Sequence, residues 1–405
     1  MFIFWLLLFS FLIIMSFGIR ARASIISPVY MYSVFTALYT LFPLYYVYFG
    51  TTVVSIELPK LTQLLVTTSC LYIFFTNLTI ILLLYLKGNF FRCFVIRDIH
   101  GRSNLSNVAI YFFIIFSPIV LSLVYYFPWP KFGESTTIFH TLATFSKTLL
   151  LVIFCSCAYL TYQQKLKTKY LTLFFLFMLF INFVDTARTH LFIGFFAYLL
   201  GCNWRFSTVV EKLPFVIFVF FVFIYLTLSR TSIDFSFSLV LWPFFSESIF
   251  GSYGALQVLS FTNSGFDITG SSLYFFNDII HKLMPNIFFD LFPFLDFDYF
   301  NADVQSAIKS GALESKIYPL GGHFFLSEYV FYFGFLTPLV FPLTMYLYLR
   351  LIQKFPVELY IFFVSSFFLL IKAPILVLLK IFILSIIGFC IFYVICFFLP
   401  KRQSF

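Results

Sequence analysis

Phe2-Ile-Phe-Trp-Leu-Leu-Leu-Phe-Ser-Phe-Leu-Ile-Ile-Met-Ser-Phe-Gly-Ile19, a run without a charge that is followed by Arg20-Ala-Arg22-Ala-Ser24, decides the fold class. As a helix it is long enough to cross the ~30 Å hydrocarbon core of a bilayer. Ala21 and Ala23 before Ser24 imitate a secretory cleavage site. A signal peptide, however, carries its positive charge ahead of the apolar run, whereas here Arg20 and Arg22 follow it. The stretch reads as a first membrane span with its N-terminus on the outer side.

The rest of the 405 residues have the same character. The chain is 62% hydrophobic and 24% aromatic, with 67 Phe and 26 Tyr, and only 10% charged. Its mean hydropathy is +1.02. A soluble domain carries about 25% charged residues, so there is too little polar surface here to coat a water-soluble body. A soluble globular enzyme, a disordered chain and a fibrous repeat are excluded. Ten further apolar runs fall at 28–49, 64–86, 107–127, 137–160, 170–184, 189–202, 213–229, 324–349, 356–371 and 375–398. The expectation is an all-α polytopic membrane protein with about eleven transmembrane helices (ten to twelve).

The cations test that layout, because inner connections hold the excess of Lys and Arg. With the N-terminus outside, fifteen of the 25 cations fall in the inner segments: Arg20, Arg22, Lys87, Arg92, Arg97, Arg102, Lys165, Lys167, Lys169, Arg205, Lys212, Arg350, Lys354, Lys401 and Arg402. Eight are spread over much longer outer segments, and the C-terminus is expected inside. The net charge of +9 therefore reads as topology, with no nucleic-acid partner. The seven Cys lie in or beside apolar runs and imply no disulfide framework. Cys155 and Cys157 are two apart, on different faces of a helix, and read as packing. No metal and no cofactor is expected.

Residues 230–323 depart from the bundle pattern. The chain divides into spans one to eight (1–229), this large outer loop (230–323), and three spans with a short tail (324–405). Between Arg230 and Tyr329 lie ten of the sixteen acids, against four cations. Trp242, Phe244, Phe245, Tyr274, Phe275 and Phe276 argue against disorder, so short interfacial helices are expected. Segment 239–262 is apolar but broken by Pro243, Glu247, Gly251 and Gly254, and reads as interfacial or re-entrant.

Between Lys169 and Arg205 the chain must cross twice around the polar turn Asp185-Thr-Ala-Arg188-Thr-His190. Each arm has about 15 residues, ~23 Å of helix, so the turn is expected below the outer surface, with Arg188 at an outward-facing pocket. The alternative is that Asp185 and Arg188 pair with each other. Lys147 falls ten residues into its span with His140 two turns above it on one face. Both are candidates for substrate binding, the alternative for Lys147 being a backbone carbonyl partner in the bundle interior. Lys372 and Lys380 read as snorkelling cations.

Residues 318–334, Tyr-Pro-Leu-Gly-Gly-His323-Phe-Phe-Leu-Ser-Glu328-Tyr-Val-Phe-Tyr-Phe-Gly334, close the loop and begin the ninth span. This segment resembles the corresponding part of bacterial O-antigen polymerases of the Wzy type and the related O-antigen ligases. In those families a large periplasmic loop ends in a His- or Gly-rich turn, followed by a helix with Glu, Tyr and a Phe-Gly pair. Residue-level similarity is confined to 318–334, Arg188 and Arg230. The double Arg-ten-Gly pattern of some members is not met, since Leu199 stands where a Gly would follow Arg188.

The resemblance implies an inner-membrane glycosyltransferase of the inverting type. It would join oligosaccharide repeat units carried on undecaprenyl diphosphate at the periplasmic face. Its partners would be that lipid-linked oligosaccharide, membrane lipid and a polysaccharide chain-length regulator. Arg188 and Arg230 would hold the diphosphate as bidentate donors. His323 would be the base for the acceptor hydroxyl, the alternative being a cap of the following helix. Glu328 would bind sugar or support the fold, and Asp267 is a further candidate in the loop. A lipid-linked oligosaccharide flippase or other transporter is the competing class, weakened by the absence of an internal repeat. A membrane acyltransferase would normally show a His-Asp pair, which His323 lacks.

Overall fold

The computed structural model of the chain describes residues 2–49, 63–96, 108–128, 138–185, 188–205, 208, 211–219, 221–222, 251, 255, 259, 324–373 and 375–398. These are helical, with no strand among them. The helices are α1 (Phe2–Arg20), α2 (Pro28–Phe49), α3 (Gln63–Tyr85), α4 (Asn89–Phe94), α5 (Val108–Tyr126), α6 (Ile138–Tyr162), α7 (Thr168–Asp185) and α8 (Arg188–Gly201). After them come α9 (Phe325–Phe333), α10 (Thr337–Ile352), α11 (Val357–Ser365), α12 (Leu369–Lys372) and α13 (Ile375–Phe398). Six stretches among the described residues are long and apolar enough to cross a membrane: Phe2–Arg20, Val66–Tyr85, Val108–Tyr126, Leu142–Tyr162, Phe325–Ile352 and Leu378–Cys396. This is an α-helical membrane protein. Of the expected loop, only residues 251, 255 and 259 are described, and they are helical and buried.

Two expected spans are broken. The run from 324 bends at Gly334, which closes α9 with φ 52°, a left-handed conformation that side chains resist, before a single 3₁₀ turn leads into α10. The run from 356 breaks between α11 and α12 at Ser365–Phe368 without a proline or glycine. Tyr348 donates its hydroxyl to the Phe363 carbonyl at 2.9 Å, and Ser366 Oγ donates to the same oxygen at 3.0 Å. Leu369, Leu370 and Ile371 donate their N–H groups back three residues. Backbone groups freed in hydrocarbon need such partners, and side chains from α10 and the turn itself supply them.

The ends of the helices sort by charge. Arg22, Lys87, Gln164 and Asn203 all have positive φ, and each ends a helix, respectively α1, α3, α6 and α8. After α1, α6 and α8 the same closure recurs: Ala23, Lys165 and Trp204 donate to carbonyls five residues back. These ends are tied together in space. Ser24 N donates to Ile96 O at 2.9 Å, Ile25 N to Trp204 O at 3.1 Å, and Cys93 Sγ to Gln353 Oε1 at 3.5 Å. One end of the bundle thus gathers Arg20, Arg22, Lys87, Arg92, Arg205, Arg350 and Lys354. Five of the helices that meet there, α1, α3, α6, α8 and α10, do so with their C-terminal carbonyls, whose partial negative charge favours cations.

Lipid offers no hydrophobic gain for helix association, so close packing and interhelical hydrogen bonds must hold the bundle. In the first three helices a buried chain runs from Tyr32 through Asn77 to Ser10 and the Leu7 carbonyl, each link 2.7 Å. At the centre, α6, α8 and α11 pack against one another, and residues 146–161 of α6 are buried without interruption. The α6–α8 crossing is set by Gly201, where a Cβ would lie 2.8 Å from the Ala158 carbonyl oxygen. At Gly194 on the same helix a Cβ would meet only Leu151 Cδ1, at an ordinary 3.5 Å.

Gly201→Ala is therefore expected to lower the thermal midpoint of the purified protein, at a cost of roughly 1–3 kcal/mol. Gly194→Ala should be neutral or stabilising, because alanine is the better helix former by about 1 kcal/mol. Equal midpoints for the two variants would contradict the crossing.

Candidate functional site

The parallel helices α6 and α8 run in a fixed register. Ala158 stands against Gly201, Leu151 against Gly194, and Thr148 Oγ1 lies 3.2 Å from His190 Nε2. Partners thus differ by 43, 43 and 42 positions. Continued one step outward, the register sets the first residue of α8, Arg188, opposite residues 145–146, within a turn of Lys147. Lys147 is 3% exposed, and its charge is felt at His190. His140, half-buried, lies two turns further along α6.

A third cation comes to the same level from the broken span. Lys372 ends α12, and its Nζ lies 5.5 Å from the ring centre of Phe192 and 5.6 Å from that of Phe368. Phe192 is one turn beyond residue 188 on the same face of α8. The two rings belong to a group in which Phe368 meets Phe35 of α2 at 5.4 Å and Phe196 of α8 at 5.5 Å. Such cation–ring contacts contribute about 0.5–2 kcal/mol, enough to hold an ammonium at the rim of an aromatic floor. Two short elements produce this level. Helix α8 has 14 residues, about 21 Å, and Val357 to Lys372 spans about 23 Å, both short of the ~30 Å core.

Glu328 lies in the first turn of α9, 6% exposed, and its Oε2 accepts the N–H of Ile375 at 3.1 Å. That N–H opens α13, so the carboxylate serves as an N-terminal acceptor supplied by another helix. It also pins the turn that carries Lys372 to α9. The described backbone includes residues 185 and 188, at the facing ends of α7 and α8, but not their side chains. His323, Arg230 and Asp267 lie outside the described residues.

The structure therefore brings together the helix position of Arg188, Lys147 and a partner that sequence reasoning left without a role, His190. It adds Lys372, which had been read as a snorkelling cation, whereas Lys380 is exposed as expected. The available signal was length, since the span 356–371 is as short as the arm that ends at Arg188. Glu358 was also missed. It is 2% exposed in the first turn of α11, beside Cys155 and Tyr159 of α6, at the basic end. Cys155 and Cys157 are both buried in α6, and no group of three metal-ligating side chains occurs among the described residues.

Chemically, cations at one depth beside apolar rings suit a molecule with a charged head and an apolar tail. The carboxylate of Glu328 holds the turn that follows Lys372. Glu328→Ala should lower the thermal midpoint by an amount equivalent to about 0.5–2 kcal/mol, as lost helix acceptors do. Glu328→Gln, which keeps an oxygen for the Ile375 N–H, should lose less than half of that. Equal losses in the two variants would show that the acceptor role is not what matters. Comparison with known proteins finds no family model, no curated protein and no solved structure that matches this chain.

Proposed function

We propose that the chain is an O-antigen polymerase, a metal-independent glycosyltransferase of the inner membrane. The observation that supports this reading is the level shared by Lys147, residue 188 and Lys372, at the end of the bundle opposite the basic connections. Fixed cations in a site shielded from water are what a departing diphosphate requires. The basic end then faces the cytoplasm, following the bias of inner connections toward Lys and Arg. The cations open toward the periplasm, with eleven spans, residues 230–323 on the periplasmic side, the N-terminus outside and the C-terminus inside.

In the reaction, the hydroxyl of an incoming repeat unit attacks the anomeric carbon of the growing chain, with inversion. The new glycosidic C–O bond forms as the C–O bond to undecaprenyl diphosphate breaks. The hydroxyl proton passes to His323, and the diphosphate leaves on its lipid, held by Arg188 and Arg230. Lys147 and Lys372 add charge at the same depth. Glu328 keeps the Lys372 turn in place, and Asp185, His140 and Asp267 are the candidate sugar contacts.

A lipid-linked oligosaccharide flippase is the second reading. The break between α11 and α12 favours it, because discontinuous helices line the substrate sites of many transporters. One gel separates the two. Deletion of a polymerase leaves a single repeat unit on the lipid core, deletion of a flippase leaves none, and loss of an acyltransferase keeps the full ladder. In the deletion strain, Arg188→Lys should restore protein level but not the ladder, because the ammonium lacks the planar fork of guanidinium. A normal ladder from Arg188→Ala would remove this residue from the reaction.

A further inference from the structure

The basic end carries a feature that glycosyl transfer does not use. Over its last two turns α10 presents Leu347, Arg350 and Leu351 at spacings of three and four on one face, and Lys354 follows in the turn just after the helix, its N–H donating to the Leu351 carbonyl. Together with Gln353 they line a cavity of about 520 Å³. Leu347 and Leu351 are 58% and 48% exposed. The notch is therefore apolar toward the membrane interior and cationic toward its end.

Neighbouring groups fix the notch from behind. The Arg350 guanidinium carbon lies 6.0 Å from the ring centre of Tyr346, and that ring lies 6.2 Å from Phe90 of α4. Gln353 accepts from Cys93 of the same helix, and Arg92, beside Cys93 in the chain, is exposed. The acid nearest in sequence, Glu358, is buried beside Cys155 and Tyr159 of α6. Snorkelling alone places a lysine or arginine at a helix end. It does not supply a cavity, a ring beneath the guanidinium and a second cation one turn on.

We propose that this notch binds an anionic phospholipid. The headgroup phosphate is met by Arg350 and Lys354, and the first methylenes of one acyl chain lie along Leu347 and Leu351. A guanidinium offers a phosphate two parallel hydrogen bonds, and each cation near an anionic lipid surface contributes about 1 kcal/mol. The site is at the opposite end of the bundle from the level of Lys147, residue 188 and Lys372 and stands whether or not the transfer reading does.

The test uses the full-length protein in nanodiscs of phosphatidylcholine in which phosphatidylglycerol is titrated, with the thermal midpoint as readout. The wild-type midpoint should rise with phosphatidylglycerol. The double variant Arg350→Gln, Lys354→Gln should need roughly thirtyfold more of it for the same rise, from two cations at about 1 kcal/mol each. Lys167→Gln with Lys169→Gln removes the same charge from the same end outside the notch, and should titrate like wild type. If the double variant does not fold, Lys354→Gln, whose side chain is exposed, should still show a shift of about fivefold. Inorganic phosphate added to phosphatidylcholine nanodiscs should not raise the midpoint. Equal titrations for the notch variant and the Lys167 and Lys169 control would overturn the proposal, as would a rise with phosphate alone.

Discussion

The arrangement at the far end of the bundle depends on one close crossing, the contact of α6 and α8 at Ala158 and Gly201. With no side chain at residue 201, the two backbones approach until the carbonyl of one helix meets the α-carbon of the other. That contact fixes the register for the full length of α8. Thr148 then meets His190, Lys147 lies within a turn of the first residue of α8, and Phe192 is turned toward Phe368 and Lys372. A slip of one residue would rotate α8 by about 100° and separate these groups.

The second constraint is the need to satisfy backbone polar groups in lipid. It explains why the breaks in the two late spans fall where partners exist. Tyr348 and Ser366 cover the Phe363 carbonyl at the end of α11, and Glu328 covers the Ile375 N–H at the start of α13. These devices let a segment of 16 residues stop short of the membrane face without exposing its backbone to hydrocarbon. Lys372 occupies the depth that this short segment defines.

Fold class was legible in the sequence because apolar run length and charge placement are one-dimensional signals. The runs at 2–19, 107–127 and 375–398 became α1, α5 and α13 nearly residue for residue. The shortness of the arm from 189 to 202 was legible too, and pointed to Arg188. The interruptions of 324–349 and 356–371 were not. Gly334 sits in an aromatic run that remains apolar on both sides, and the α11–α12 break has neither proline nor glycine to mark it. The role of Lys372 was hidden for a related reason. A lysine at the end of an apolar run reads as snorkelling unless the rings that receive it are known, and Phe192 lies 180 positions away in the chain. His190 gained meaning only from the α6–α8 register, which depends on a packing contact and not on any local pattern.

The central claim is that Lys147, residue 188 and Lys372 act together on an anionic headgroup. Its most direct measurement is calorimetric binding of a short-chain prenyl diphosphate to the purified full-length protein and to Lys372→Gln, each at low and high salt. The account predicts that Lys372→Gln binds roughly tenfold more weakly at low salt, since a hydrogen bond to a charged group contributes about 1.5–3 kcal/mol. The difference should narrow at high salt, as screening weakens partly exposed charges. Equal affinities for wild type and Lys372→Gln at low salt would contradict it.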